Sequence, residues 1–335
     1  MTRGRRTGRD GRAVVLAAVN KPILIFGLTP RTGTNYLWDL VCLHPRCATG
    51  REPIREDFFL EHADLLLDFV RSVRGRWDPV WGEVSEEAVA ELSANIGSGL
   101  LGFLTADEDR RLVTKNPSVA NIDEVFTLFP AAQVIVLVRD GRAVVESCVR
   151  TFAWDFDLAT RRWAAASETA LQFLDGRTAD DPAVRLVRYE DLVADPGRQM
   201  TLLLSFLGLE VADYDLSAAE QLPVRGSSVF LGGKEQVHWD PVERTADFDP
   251  LRRWAGWSAE QHRRFAWLAG RQQVALLYGL DEAVPTTISA RAGQRLASAR
   301  WRTRRGADLA VYKVRGWLGP VTRPLRERVG LTRGS

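Results

Sequence analysis

One short segment, residues 133–138, restricts the folds open to this chain more than any other part of the sequence. After Gln133 it reads Val-Ile-Val-Leu-Val, with no polar side chain. An unbroken apolar strand of this kind is typical of a parallel sheet that is covered on both faces, because neither face then tolerates a polar group. The segment therefore predicts a central strand of an α/β fold.

Further strand signals alternate with helix signals on both sides of this segment. We expect strands at 22–26, 111–114 and 183–187. Strands that alternate with helices predict a doubly wound parallel sheet flanked by helices. Residues 209–253 are rich in Gly, Ser, Pro and charge, and they predict a binding loop or lid. The helices are predicted from the spacing of apolar residues. Two are indicated by apolar residues that share one helix face, namely Tyr36, Leu37, Leu40 and Val41 in the first helix and Ile122, Val125, Phe126 and Phe129 in the second. Two more are predicted at 196–207, ending at Gly208, and at 259–278.

The length and the charge distribution predict one large domain with two basic appendages. The chain has 335 residues, 45% of them hydrophobic, which is enough for a full core. We predict a domain at 21–285, a basic arm at 1–20 and a basic, partly helical tail at 286–335. Residues 290–335 carry twelve basic and two acidic side chains, although the net charge of the whole chain is only +2. Such a tail is often only solvated; as a contact surface it suits an anionic membrane, and nucleic acid is not an expected partner.

The cysteines bear on the compartment and on metal binding. Cys42, Cys47 and Cys148 are too few for a disulfide framework and favour a reducing cytoplasm. No apolar stretch is long enough to span a membrane, so we expect a cytoplasmic protein that is at most peripheral to a membrane. Cys42, His44 and Cys47 lie close together, but no second pair stands at zinc-finger spacing, and the end of a helix is the preferred interpretation. The oligomeric state is not indicated.

The segment 27–36, GLTPRTGTNY, connects the first predicted strand to the first predicted helix. A loop in this position directs backbone N–H groups and a helix N-terminus at an anion. It is similar to the Walker A loop, and the fold expected is P-loop-NTPase-like. However, five residues separate Gly27 from Gly33, no Lys follows Gly33, and the cationic Arg31 precedes it. These departures disfavour a magnesium-dependent kinase.

A second motif follows the central strand. Arg139 would end this strand at the carboxyl edge of the sheet, where ligands of such folds bind. Asp140 begins a turn, and a helix through Val144 would return Ser147 to the same edge. A guanidinium and a hydroxyl placed in this way can share a phosphate group. An ion pair between Arg139 and Asp140 on a loop is the alternative interpretation.

These segments resemble two signatures of the sulfotransferase family. One is the 5′-phosphosulfate loop, here Arg31-Thr32-Gly33-Thr34, and the other is an Arg with a Ser eight residues on, here Arg139 and Ser147. The resemblance covers about residues 22–257. It implies the donor 3′-phosphoadenosine 5′-phosphosulfate (PAPS) and the product adenosine 3′,5′-bisphosphate. The donor-binding residues that it implies are Arg31, Thr32, Gly33, Thr34 and Asn35 at the phosphosulfate, Arg139 and Ser147 at the 3′-phosphate, Tyr189 near the adenine, and Arg225, Gly226 and Ser227 in a closing loop.

The same resemblance implies three catalytic residues and no divalent metal. Residues 51–53, Arg-Glu-Pro, are similar to a segment of the carbohydrate and tyrosyl-protein branches, in which a Glu after the first helix is the base. Glu52 is therefore the implied base. Lys115 matches a Lys that helps the bridging oxygen to leave, and Arg31 would hold the same phosphosulfate. Because His is the base in many cytosolic members, the alternatives are His44, His62 and His238.

The acceptor is not identified by the sequence beyond a hydroxyl on a small molecule, lipid or carbohydrate. Acceptor contacts of the family lie in stretches that vary between members, here chiefly 57–105 and 154–177. Four aromatic residues in these stretches suit an apolar or sugar-stacking site, although burial explains most Trp residues equally well. Two other functions stay open. One is a P-loop-type small-molecule kinase; the other is a non-catalytic nucleotide-binding module, which applies if Glu52 and Lys115 are not catalytic. The four aromatic residues are Trp77, Trp81, Trp154 and Phe156.

Overall fold

The computed structural model describes residues 21–178, 180–223 and 251–306. The strands in this part of the chain form one parallel sheet with the order β2-β3-β1-β4-β5. β1 therefore lies at the centre, paired with β3 on one side and β4 on the other. The strands are β1 (Ile23–Gly27), β2 (Cys47–Thr49), β3 (Arg111–Asn116), β4 (Gln133–Val138) and β5 (Val184–Arg188).

Helices connect the parallel strands, which cannot be joined by tight turns. Short 3₁₀ turns occur at Leu60–His62, Ile122–Glu124, Val211–Asp213 and Arg253–Gly256. The helices in the described residues are α1 (Thr34–Cys42), α2 (Ala63–Trp81), α3 (Glu86–Leu104), α4 (Val125–Leu128), α5 (Gly141–Phe152), α6 (Phe156–Leu174), α7 (Tyr189–Ala194), α8 (Pro196–Leu207), α9 (Leu216–Gln221), α10 (Ala259–Ala275) and α11 (288–306).

The predicted parallel α/β sheet is confirmed. Each of the four predicted strands is present, shifted or extended by no more than two residues. All residues of β1 and β4 are buried, as expected for strands covered on both faces. The edge strand β2 was not predicted, because three residues carry little hydrophobic signal. Cys47 begins this strand, so it does not end the preceding helix as expected.

Typical capping residues mark the start of α5 and both ends of α8. The side chain of Asp140 accepts a hydrogen bond from Arg142 N and caps α5. Pro196 opens α8 behind the capping residue Asp195, and Gly208 ends this helix at φ 66°, as predicted. In contrast, α2 and α3 bury few side chains each, so their apolar spacing was too weak to predict them.

The chain divides into two compact units. The described residues of the first unit are those up to Trp257, together with Leu268–Leu280. The second consists of Ser258–Trp267 and the described residues from Asp281 onward; in it, Arg264 Nη1 donates to Gln294 Oε1 over 2.8 Å. The predicted helical character of the tail holds for 288–306. The boundaries predicted after residues 20 and 285 stay predictions. None of the described helices is both long and apolar enough to cross a membrane.

Candidate active site

The loop after β1 is a tight turn whose conformation depends on two positive φ angles. Arg31 has φ 75° and Gly33 has φ 110°. The Thr32 hydroxyl donates to Thr29 O over 2.7 Å and accepts from Thr29 N, which closes the turn from within. The backbone hydrogen bonds of α1 begin with Tyr36 N, which donates to Gly33 O. The amide groups before Tyr36, including those of Thr34 and Asn35, belong to the first helical turn, which is suited to an anion.

Tyr189, the first residue of α7, packs directly against this loop. Its ring is so close to Gly33 that a Cβ atom there would overlap it, and the positive φ adds backbone strain for any other residue. The guanidinium carbon of Arg139 lies 4.3 Å from the centre of the same ring. The loop, Tyr189 and Arg139 are therefore one packed assembly at the carboxyl edge of the sheet.

Arg139 and Ser147 lie where the second motif predicted. Arg139 follows β4 and its Nη1 donates to Arg31 O over 2.8 Å. Ser147 is buried on α5, and its hydroxyl accepts a hydrogen bond from Arg31 Nε at 3.1 Å. The residues predicted at the phosphosulfate and those predicted at the 3′-phosphate thus meet directly. The alternative, an ion pair between Arg139 and Asp140, is not the pair formed, because Asp140 binds Arg142 at 2.6 Å.

A third arginine, Arg253, also reaches Ser147, and sequence reasoning did not single it out. Its Nη1 lies 3.4 Å from the Ser147 hydroxyl, which is a long hydrogen bond. The 3₁₀ turn that Arg253 begins is attached to α5, because Trp257 Nε1 donates to Glu146 Oε2 over 2.7 Å. The only signal in the sequence was its position at the end of the predicted binding loop.

The three guanidinium groups of Arg31, Arg139 and Arg253 raise one another's electrostatic energy. The pKa of Arg253 is lowered to about 10, first by burial and then by the positive charges of Arg139 and Arg31. The pKa of Arg31 is likewise lowered, first by burial and then by Arg139. A bound anion would reverse both effects, because opposite charge favours the ionised form. The chemistry of the cluster therefore suits a phosphate or sulfate group.

Lys115 is the last residue but one of β3, which lies on the other side of β1, and its side chain is 1% exposed. Its Nζ donates to Glu56 Oε1 over 2.8 Å and lies 5.8 Å from the centre of the Trp38 ring. Burial is the largest cause that lowers the pKa of this ammonium, and Glu56 opposes it. Asp57, which follows Glu56 in the chain, accepts a hydrogen bond from the Thr114 hydroxyl at 2.6 Å. Two successive carboxylates thus attach the loop after β2 to the end of β3.

The residues predicted as the base lie in different surroundings. Glu52 has a side chain that is 65% exposed and pairs with Arg55 at 3.5 Å. His44 is buried, with one ring nitrogen bonded to Arg46 N and the other to Glu210 O. His62 is exposed at the start of α2. The role of each stays a prediction. His238 lies outside the described residues, as do Arg225, Gly226 and Ser227.

The other features singled out in the sequence are not gathered at one place. Trp77 and Trp81 are exposed at the end of α2, whereas Trp154 packs on Phe152 and Phe156 packs on Trp257. Cys42, Cys47 and Cys148 are free thiols. In the described part of the chain, no group of three or more His, Cys, Asp or Glu side chains is placed to hold a metal ion.

The fold and the site together define a class: an α/β protein with an anion cradle at the carboxyl edge of a parallel sheet. A family profile described as "Sulfotransferase family" matches residues 22–213, which contain the loop, Lys115, Arg139, Ser147 and Tyr189. The chain belongs to the sulfotransferase family.

Individual relatives agree with this assignment. The protein-tyrosine sulfotransferase A of Caenorhabditis elegans is 24% identical over 250 residues, which are 70% of this chain and 61% of that protein. The protein-tyrosine sulfotransferase 1 of Danio rerio is 27% identical over 266 residues, or 75% of this chain and 70% of that protein. The chain thus spans about three fifths of the worm relative.

Among solved structures, the sulfotransferase domain of the Synechococcus PCC 7002 olefin synthase aligns with a TM-score of 0.48 and 24% identity. The alignment covers 77% of this chain and 95% of that domain. The sulfotransferase domain from the curacin biosynthetic pathway aligns with a TM-score of 0.47 and 20% identity, over 78% and 99% of the two chains.

Proposed function

We propose that this protein transfers a sulfonate group from PAPS to a hydroxyl group of an acceptor. The observation that carries the proposal is that Arg31 and Arg253 both donate to the hydroxyl of Ser147, while Arg139 donates to the backbone oxygen of Arg31. PAPS has a 3′-phosphate in addition to its phosphosulfate, so it brings two anionic groups to one site. Three guanidinium groups beside an anion-binding loop match that charge. Membership in the sulfotransferase family supports the same donor.

In this proposal the two parts of the donor have separate partners. The phosphosulfate binds along Arg31, Thr32, Gly33, Thr34 and Asn35, where first-turn amide groups add to the guanidinium of Arg31. The 3′-phosphate binds Arg139, Ser147 and Arg253, and the adenine lies near Tyr189. The closing role of Arg225, Gly226 and Ser227 stays a prediction, because these residues lie outside the described part of the chain.

The chemical step follows from this placement. Glu52 accepts the proton of the acceptor hydroxyl, and the oxygen attacks the sulfur atom. An S–O bond to the acceptor forms while the bond from sulfur to the bridging oxygen breaks, and adenosine 3′,5′-bisphosphate leaves. Lys115 and Arg31 stabilise the negative charge that develops on the leaving group. These two cations supply the charge that magnesium supplies in kinases, so a divalent metal is not required in the proposed step.

The acceptor is proposed only as a class. The relatives are named for tyrosine sulfation, and a small molecule, lipid or carbohydrate with a hydroxyl is the class we propose for this chain. Labelled PAPS offered with glycolipids, simple sugars, small phenolic metabolites and tyrosyl peptides separates these groups. Transfer to tyrosyl peptides alone would contradict the class.

The donor assignment is tested by calorimetry with adenosine 3′,5′-bisphosphate and AMP. We expect the bisphosphate to bind far more tightly, because the 3′-phosphate is the group that Arg139, Ser147 and Arg253 would contact. Equal affinities for the two nucleotides would falsify the proposed function, since no PAPS-specific site would then exist.

A further inference from the structure

The contact between Glu56 and Lys115 is a nearly buried ion pair that the proposed chemical step does not use. The side chain of Lys115 is 1% exposed and that of Glu56 is 18% exposed, with 2.8 Å between Nζ and Oε1. Other charged groups act on the ammonium more weakly. Asp39 on α1 favours its charged form, and Arg55 on the loop disfavours it. The Trp38 ring covers it from α1.

A lysine in this environment needs a counterion to stay charged. Removal from water disfavours an ammonium group and favours the neutral amine, and a carboxylate within hydrogen-bond distance reverses part of this effect. A neutral amine at Lys115 could not stabilise the negative charge that develops on the leaving group. The usefulness of Lys115 therefore depends on the group beside it.

We propose that Glu56 is a positioning residue for sulfonate transfer, which holds Lys115 protonated and fixed at the end of β3 until the donor arrives. This inference rests on the proposed role of Lys115. When the phosphosulfate binds, its own negative charge joins or replaces Glu56 as the counterion. Glu56 thus acts through Lys115 and touches neither the sulfur atom nor the acceptor oxygen.

The neighbouring carboxylates have other partners, which distinguishes Glu56 from them. Asp57 accepts hydrogen bonds from the Thr114 hydroxyl and from Phe59 N, so it attaches the loop to β3. Glu52 is exposed and pairs with Arg55. Of these carboxylates, Glu56 is therefore the one that forms a hydrogen bond with the Lys115 ammonium.

The direction of the expected pH effect follows from these contributions. Burial lowers the pKa of Lys115 and Glu56 raises it. In Glu56→Gln the raising contribution is lost, so the pKa of Lys115 falls further and the ammonium is lost at a lower pH. The alkaline limb of kcat/KM for PAPS, which reports the free enzyme, moves to lower pH. The limb of kcat moves less, because bound donor then supplies negative charge.

NMR of the lysine side chains measures the change in the pKa of Lys115 directly. Lysine occurs only at positions 21, 115, 234 and 313, so the full chain labelled at the lysine ε-carbons gives few signals. The signal of Lys115 is the one that disappears in Lys115→Arg. We expect the titration midpoint of Lys115 to fall by about one pH unit or more in Glu56→Gln, the range for loss of an adjacent opposite charge. Glu56→Asp should restore part of the shift. Glu61→Gln, on the same stretch of chain, should leave the midpoint unchanged.

Kinetics then separates this inference from the proposed function. A fall in the NMR midpoint together with a shifted kcat/KM limb supports the positioning role. An unchanged midpoint overturns it, and so does a lowered midpoint with an unmoved limb, because the ion pair would then be structural only. Failure of the wild-type chain to transfer sulfonate from PAPS would appear separately and would count against the proposed function. The ion pair itself would still be measured by NMR.

Discussion

Ser147 accepts hydrogen bonds from Arg31 and Arg253, which lie 116 and 106 residues away in the chain. The guanidinium groups of Arg31, Arg139 and Arg253 repel one another, which adds to the effect of burial in lowering the pKa of Arg253 and of Arg31. A bound anion would offset this repulsion. At the scale of single residues, replacing one of these arginines therefore tests the proposed donor site.

Replacing Arg253 by Ala should remove a large part of the preference for adenosine 3′,5′-bisphosphate over AMP. We expect a loss of about 2–4 kcal/mol in calorimetric binding, the range for removing a charged hydrogen-bond partner from a desolvated site. Arg252→Ala is the matched control, since Arg252 is the exposed neighbour and should retain the preference. Equal effects of the two substitutions would indicate only a general loss of positive charge.

Glu52→Gln should slow turnover by about a hundredfold or more and leave bisphosphate affinity close to that of the wild type. A base that touches only the acceptor proton contributes to the chemical step and hardly to donor binding. Steady-state kinetics with an identified acceptor, together with calorimetry, separates the two quantities. Normal turnover in this variant would mean that the base is another residue, with His238 the next to replace.

At the scale of elements, the end of α10 supports the turn that carries Arg139. The Gln273 side chain accepts from Gly141 N at 3.1 Å and donates to Asp140 Oδ1 at 2.9 Å. The Tyr278 hydroxyl donates to Glu190, which in turn accepts from Asp140 N. Two polar connections therefore run from the residues at and just beyond the end of this helix to the start of α5.

Gln273→Ala should destabilise the protein by about 2 kcal/mol, because the buried Gly141 N–H loses its acceptor and Asp140 loses one of its hydrogen bonds. We also expect weaker bisphosphate binding, since the turn holds Arg139. Denaturant unfolding and calorimetry measure the two effects. Gln272→Ala, which loses a hydrogen bond to Glu168, is the matched control. Equal losses of unfolding free energy in the two variants would mean that the connection from Gln273 to α5 has no special role in stability.

At the scale of the whole molecule, charge is distributed unevenly along the sequence. The last 46 residues, 290–335, are strongly basic, while the net charge is only +2. Contact of this tail with an anionic membrane stays a proposal. Its driving force would be electrostatic attraction, which salt screens.

The full chain should therefore bind vesicles that contain phosphatidylserine and should not bind vesicles of phosphatidylcholine alone. Sedimentation with the vesicles at low and at high salt measures this binding, and added salt should release the protein. Binding to neutral vesicles, or binding that salt does not weaken, would contradict the electrostatic mechanism.

The sheet and two of the three clustered arginines, Arg31 and Arg139, could be predicted because their signals are local. An unbroken apolar strand indicates burial on both faces, and the order of Gly, Arg and Thr after β1 indicates an anion-binding turn. Arg139 and Ser147 are joined by one strand end and one helix, so their spacing in sequence fixes their spacing in space. The sequence by itself therefore determined the parallel α/β fold, and it predicted an anion as the ligand of the site.

Only the tertiary structure placed Arg253, Glu56 and Gln273 beside this site. Their partners are Ser147, Lys115 and the start of α5, at separations of 106, 59 and 132 residues. No periodicity or motif links residues so far apart, because such contacts arise from the way helices and loops pack on the finished sheet. Local sequence sets which elements form, and packing sets which charges meet.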